Sequence, residues 1–118
     1  MAKEREYVTS AVSVFENDGI VVHVVNDDAA GGTTQIVIFQ NTGAGAITAV
    51  DTGIVNVLPN SMASVGFTIS ESGEYWVRVR ASSEFLIPKA SFERGGTPVV
   101  SYLPGDFAVF KRSRKRIW

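Results

Sequence analysis

Surface chemistry needs a nucleophile beside a base, a cluster of metal ligands, or rings and charges that bind. This chain offers little of the first two. His23 is the single histidine and cysteine is absent, which excludes thiolate nucleophiles, cysteine zinc sites and disulfides. His23 falls within Ile20-Val21-Val22-His23-Val24-Val25, an apolar run where a neutral, hydrogen-bonded core or interface residue is expected. Serines and acids are plentiful, but no Gly-x-Ser-x-Gly elbow occurs, and no spacing selects a carboxylate pair for glycoside hydrolysis. Gly43-Ala44-Gly45 lacks the Gly-Lys-Ser/Thr of a phosphate loop and reads as a flexible turn. Acids gather at turns, as Glu16 with Asp18, Asp27 with Asp28 and Glu71 with Glu74. The alternating Asp of a calcium loop is missing, and tight turns take Asp and Asn for backbone reasons. No enzyme activity, cofactor or metal is expected.

Binding chemistry has two better places. In Tyr75-Trp76-Val77-Arg78-Val79-Arg80 a period of two turns Tyr75, Val77 and Val79 inward and Trp76, Arg78 and Arg80 to the opposite face. A Trp beside two Arg stacks on a sugar or base, binds an anion, or anchors a subunit interface. The second place is the end of the chain. Residues 1–110 hold 6 basic and 12 acidic residues, while residues 111–118 hold 5 basic and no acidic ones. The overall charge of -1 therefore hides an acidic body and a basic tail. Lys111, Arg112, Arg114, Lys115 and Arg116, followed by Ile117 and Trp118, form a field that attracts an anionic partner. Nucleic acid, an acidic protein surface and an anionic membrane all fit it.

The elements that must position these groups read as strands. Val, Ile, Thr and aromatic residues occur in short alternating runs between Gly, Asn, Asp, Ser and Pro clusters. Strands are predicted over 7–15, 20–25, 34–40, 46–50, 54–58, 64–69, 75–81, 85–92, 99–102 and 107–110. Asn17-Asp18-Gly19 and Glu71-Ser72-Gly73 carry hairpin signals, and Pro88 marks its strand as an edge or a bulge. No segment reads as a helix. About nine or ten short strands imply an all-β, antiparallel β-sandwich, immunoglobulin-like or jelly-roll-like. At 118 residues one such domain is expected over 1–110, with 111–118 as its tail.

Phe39-Gln40-Asn41-Thr42-Gly43, Leu58-Pro59-Asn60, Val65-Gly66-Phe67 and Gly73-Glu74-Tyr75-Trp76-Val77-Arg78-Val79 together resemble bacterial immunoglobulin-like modules over residues 36–81. The resemblance implies a scaffold or adhesion-type sandwich and carries no functional residues.

Only 19% of residues are charged and 45% are hydrophobic, against roughly 25% charged in an average chain. The deficit lies in strands that are apolar on both faces: Ile20 to Val25, with Ile20, Val22 and Val24 sharing a face, and Ile36-Val37-Ile38-Phe39. Phe85 and Ile87 likewise fall opposite Leu86, Ala90 and Phe92. An antiparallel strand with one wet face should alternate, so a homo-oligomer covering the second faces is expected. Ile20, Val22, Val24, Val37 and Phe39 are its candidate interface, and Phe85 and Ile87 join Trp76, Arg78 and Arg80 as ligand or interface candidates. The hydrophilic start, the lack of any apolar run near ~18 residues and the absence of Asn-x-Ser/Thr sequons lead to a cytoplasmic expectation with no transmembrane segment.

Overall fold

The computed structural model describes residues 3–41, 43, 45 and 47–111. Among these residues ten strands form two antiparallel sheets packed face to face as a β-sandwich. They are β1 (Arg5–Val8), β2 (Val12–Val14), β3 (Gly19–Asn26), β4 (Gly32–Asn41), β5 (Ile47–Val57), β6 (Met62–Thr68), β7 (Gly73–Ala81), β8 (Leu86–Arg94), β9 (Thr97–Tyr102) and β10 (Ala108–Lys111). The six-stranded sheet runs β10-β1-β7-β4-β5, with β2 also on β7, and the four-stranded sheet runs β6-β3-β8-β9. A single 3-10 turn at Pro104–Asp106 is the helical element among the described residues, and no helix among them is long and apolar enough to cross a membrane.

Alternation sorts the strands between core and surface. Ile36 and Ile38 of β4, Tyr75, Val77 and Val79 of β7, and Leu86, Ala90 and Phe92 of β8 meet between the sheets. Each fully buried Val, Ile or Leu there contributes about 1.5–3 kcal/mol of burial. Tyr75 enters the core with its hydroxyl donating to the Glu71 carbonyl at 2.6 Å, four residues upstream. This is the tyrosine corner found in immunoglobulin-type sandwiches.

Several sequence expectations are corrected. Ile20, Val22 and Val24 are each 1% exposed: β3 lies between β6 and β8, and this face of it fills the core of the single chain. They are not interface residues. The predicted first strand breaks into β1 and β2 because one extra residue is inserted against β7. Val8 pairs with Arg78, whereas Val12 pairs with Tyr75. The Thr9 amide donates to the Val77 carbonyl and the Val77 amide donates to Thr9 Oγ1, both at 3.0 Å. The insertion flips the alternation, so Tyr7 faces the core on β1 while Val12 and Val14 face it on β2.

The two strands predicted over 46–50 and 54–58 are one strand, β5. Thr52 and Gly53 together oppose Ile36, since Gln35 pairs with Ile54 and Val37 with Asp51. Gly53 supplies the φ of +94° that this bulge needs. The turn signals at Asn17-Asp18-Gly19 and Glu71-Ser72-Gly73 are corners between the two sheets, not hairpins, because β2 and β7 belong to one sheet and β3 and β6 to the other. The β8–β9 hairpin is instead turned by Gly95 and Gly96, both at positive φ. Pro88 sits in the Leu86–Lys89 stretch of β8 that β9 does not reach.

Candidate functional site

The outer face of the six-stranded sheet is set by strand order. Because β7 lies between β1 and β4, its outward residues Glu74, Trp76, Arg78 and Arg80 stand opposite Asn41, Phe39, Val37 and Gln35 of β4. On the far side β5 continues these rows with Ile47, Ala49, Asp51 and Ile54. The structure thus joins Val37 and Phe39 to Trp76, Arg78 and Arg80, which the sequence places on separate strands.

Aromatic rings occupy the middle of this face. Phe39 and Trp76 stack with centroids 5.6 Å apart and planes 12° from parallel, and the Arg78 guanidinium lies 5.1 Å from the Phe39 ring centre. Val37 is buried beside them, at 4% exposure although it points away from the core. At one end Arg80 Nε donates to Glu6 Oε2 at 3.2 Å, and Gln35 Nε2 donates to Asp51 Oδ2 at 2.7 Å. The Gly53 amide and then the Gln35 amide hold the Asp51 carboxyl below its ordinary range, with the Arg78 charge adding to the effect. At the other end the backbone of Glu74 pairs with Asn41 and Ser13, and its carboxylate forms no side-chain hydrogen bond or ion pair among the described residues. A cleft of about 250 Å³ lined by Glu4, Thr33–Gln35, Ile54 and Arg80 borders the first end. Another of about 360 Å³, lined by Ser13–Phe15, Asn41, Ser72 and Glu74, borders the second.

Other sequence candidates lie elsewhere. Ile87 is half-buried on the outer face of the four-stranded sheet, and Phe85, 45% exposed, precedes that strand; neither meets the aromatic pair. His23 is on that same outer face, its Nδ1 2.6 Å from Ser64 Oγ, with Lys89 as its other cross-strand neighbour. Among the described residues no carboxylate is hydrogen-bonded to the ring, the place that the orienting acid takes in a catalytic triad. Among the described residues no three His, Asp or Glu gather as a metal site, and Asp18 is bound by Arg94. Lys111 is the last residue of β10, paired with Arg5, so the strand takes in the first residue of the predicted tail. Arg112, Arg114, Lys115, Arg116 and Trp118 lie outside the described residues.

Sequence reasoning missed Glu6, Gln35, Asp51 and Glu74. For Glu74 the signal was available, since it continues the Trp76-Arg78-Arg80 spacing; the other three are joined to the face by strand neighbours. No protein-family model, curated protein or solved structure matches this chain.

Proposed function

We propose that the chain is a non-enzymatic interaction module that assembles as a homo-oligomer through the outer face of its six-stranded sheet. The observation that carries this reading is the Phe39–Trp76 pair, topped by Arg78 at the centre of the face. Trp and Arg dominate interface hot spots when other groups shield them from water. Ile47 and Ile54, 60% and 72% exposed, extend the apolar surface across β5, and a broad apolar patch on a soluble chain marks a contact surface. Five strands about 4.8 Å apart, from 4 to 11 residues long and averaging about eight, give a flat area on the order of 600 Å², the scale of a standard contact of about 800 Å² per partner. Light scattering after size-exclusion chromatography tests the reading. An oligomer at micromolar concentration that Trp76→Ala weakens is expected, and a monomer at every concentration overturns it.

A second reading, a carbohydrate or small-ligand module, is favoured by one feature of the same face. The aromatic pair is bordered by Asn41 and Glu74 on one side and Gln35 and Asp51 on the other, groups suited to sugar hydroxyls. Trp76 fluorescence titrated with a saccharide panel tests it; an unchanged signal across the panel removes it.

A further inference from the structure

The homo-oligomer proposed above leaves open how two copies meet, and the order of side chains along β7 selects one arrangement. Running outward along the strand are an acid, an aromatic ring and two guanidinium groups, Glu74, Trp76, Arg78 and Arg80. We infer that two copies pack face to face about a two-fold axis perpendicular to the strands, crossing β7 between Trp76 and Arg78. This rests on the reading that the outer face is the contact surface.

The axis lays each strand over its own copy, running the opposite way. Glu74 then faces the partner's Arg80, and Trp76 faces the partner's Arg78. Opposite charges meet at both ends, and a guanidinium lies on an indole near the middle. On β5 the same operation puts Ile47 over the partner's Ile54, covering the two most exposed apolar side chains of this face. The face is self-complementary, as an isologous dimer contact requires. A two-fold axis along the strands instead brings Arg78 over the partner's Arg78 when centred on β7. Centred between β7 and β4, it pairs each charge with an uncharged residue of β4. Of these axes only the perpendicular one gives the Glu74 carboxylate an opposite charge, and that carboxylate has no side-chain partner among the described residues of its own chain. Two-sheet packing with nearly aligned strands is also the geometry that twisted sheets favour.

Light scattering and sedimentation of the full chain read the arrangement. The native protein is expected at twice its 12.7 kDa chain mass. Glu74→Arg places two cations against each other twice per dimer and should raise the dissociation midpoint at least tenfold, with an unchanged melting curve where both proteins are dilute enough to be monomeric. The complement is Arg80→Glu made together with Glu6→Gln, which removes the like charge that Glu6 would present. Each variant alone should be monomeric where the native chain is dimeric, and an equimolar mixture should recover the dimer. If the complementing variant does not fold, salt replaces it: the Glu74→Arg deficit should shrink to within about threefold at 1 M salt, where the Debye length is about 3 Å. A native monomer overturns both this arrangement and the proposed function. A native oligomer whose mass Glu74→Arg leaves unchanged, a mixture that stays monomeric, or a deficit that persists in high salt overturns this arrangement alone.

Discussion

Arg94 donates from Nε and from an Nη to the two carboxylate oxygens of Asp18, each at 3.0 Å. Asp18 sits in the corner that carries the chain from β2 in one sheet to β3 in the other, and Arg94 ends β8. Asp18 Oδ2 also accepts from the Phe15 amide at 2.8 Å, and the guanidinium lies 4.6 Å from the Phe15 ring centre. One carboxylate therefore holds the corner's backbone, the end of β8 and an exposed aromatic ring in place. A bidentate pair of this kind is geometrically specific as well as charge-assisted.

The pair makes stability depend on pH with a definite sign. The Arg94 hydrogen bonds, followed by the Phe15 amide, hold the Asp18 carboxyl below its ordinary value. Its contribution is complete above the unfolded-state value of about 3.9 and is lost as pH falls through the lower folded-state value. Urea midpoints at pH 7 and at pH 3 measure this. The native chain should lose more stability over that interval than Asp18→Asn does; equal losses would show that the pair contributes nothing to the acid transition.

Asn26 is 1% exposed and ties the end of β3 to two connecting segments. Its Nδ2 donates to the carbonyls of Ala30, Val57 and Leu58 at 2.9, 3.2 and 3.2 Å. Asn26→Ala leaves acceptors without a donor and should cost about 1–3 kcal/mol. Asn26→Asp sets a carboxylate against three carbonyl oxygens and should cost more at pH 7, recovering part of the loss toward pH 4. Chemical denaturation at the two pH values checks both, and an Asp variant as stable as the Ala variant at pH 7 defeats the assignment.

The corner formed by Tyr75 separates its hydroxyl from its ring. The ring is fully buried, while the hydroxyl reaches the Glu71 carbonyl; burial and then the Glu71 charge push the phenol above its usual range. Tyr75→Phe keeps the core filled and removes that one bond, for an expected loss of about 0.5–1.5 kcal/mol. Tyr75→Ala opens a cavity and should cost about 3–5 kcal/mol, the range for a large aromatic. Equal losses in thermal or urea unfolding would show that the ring and the hydroxyl are not separable contributors.

The all-β class and the two faces of β7 were legible because a period of two is a local property of the chain. Tyr75, Val77 and Val79 are all 0% exposed, while Trp76, Arg78 and Arg80 take the other side. Neighbouring strands are not a local property. Nothing near Phe39 in sequence says that it stands beside Trp76, so the centre of the face was invisible until β4 was placed next to β7. The same gap explains the misread turns: positive φ at Asn17 serves a corner as well as a hairpin, and only the next strand's partner distinguishes them. Apolar residues on both sides of β3 pointed to a second protein surface, but Ile20, Val22 and Val24 needed only the facing sheet of their own chain.

If Phe39 and Trp76 form one platform, their contributions to folding must be coupled, because each ring supplies the other's contact surface. Stacked aromatic pairs are worth about 0.5–1.5 kcal/mol beyond the area they bury, and a double-mutant cycle isolates that share. Phe39→Leu and Trp76→Leu each keep an apolar side chain on the strand, so the double variant should lose less than the two single losses combined, by about 0.5–1.5 kcal/mol. The cycle has to be run well below the concentration at which the chain self-associates, since an intersubunit contact at Trp76 would otherwise enter the same number. Arg78 supplies a second cycle: its guanidinium lies over the Phe39 ring, so Arg78→Gln and Phe39→Leu should also lose less together than the two single losses combined. Losses additive to within about 0.3 kcal/mol in the Phe39–Trp76 cycle would show two independent surface rings and would remove the platform on which the binding reading rests.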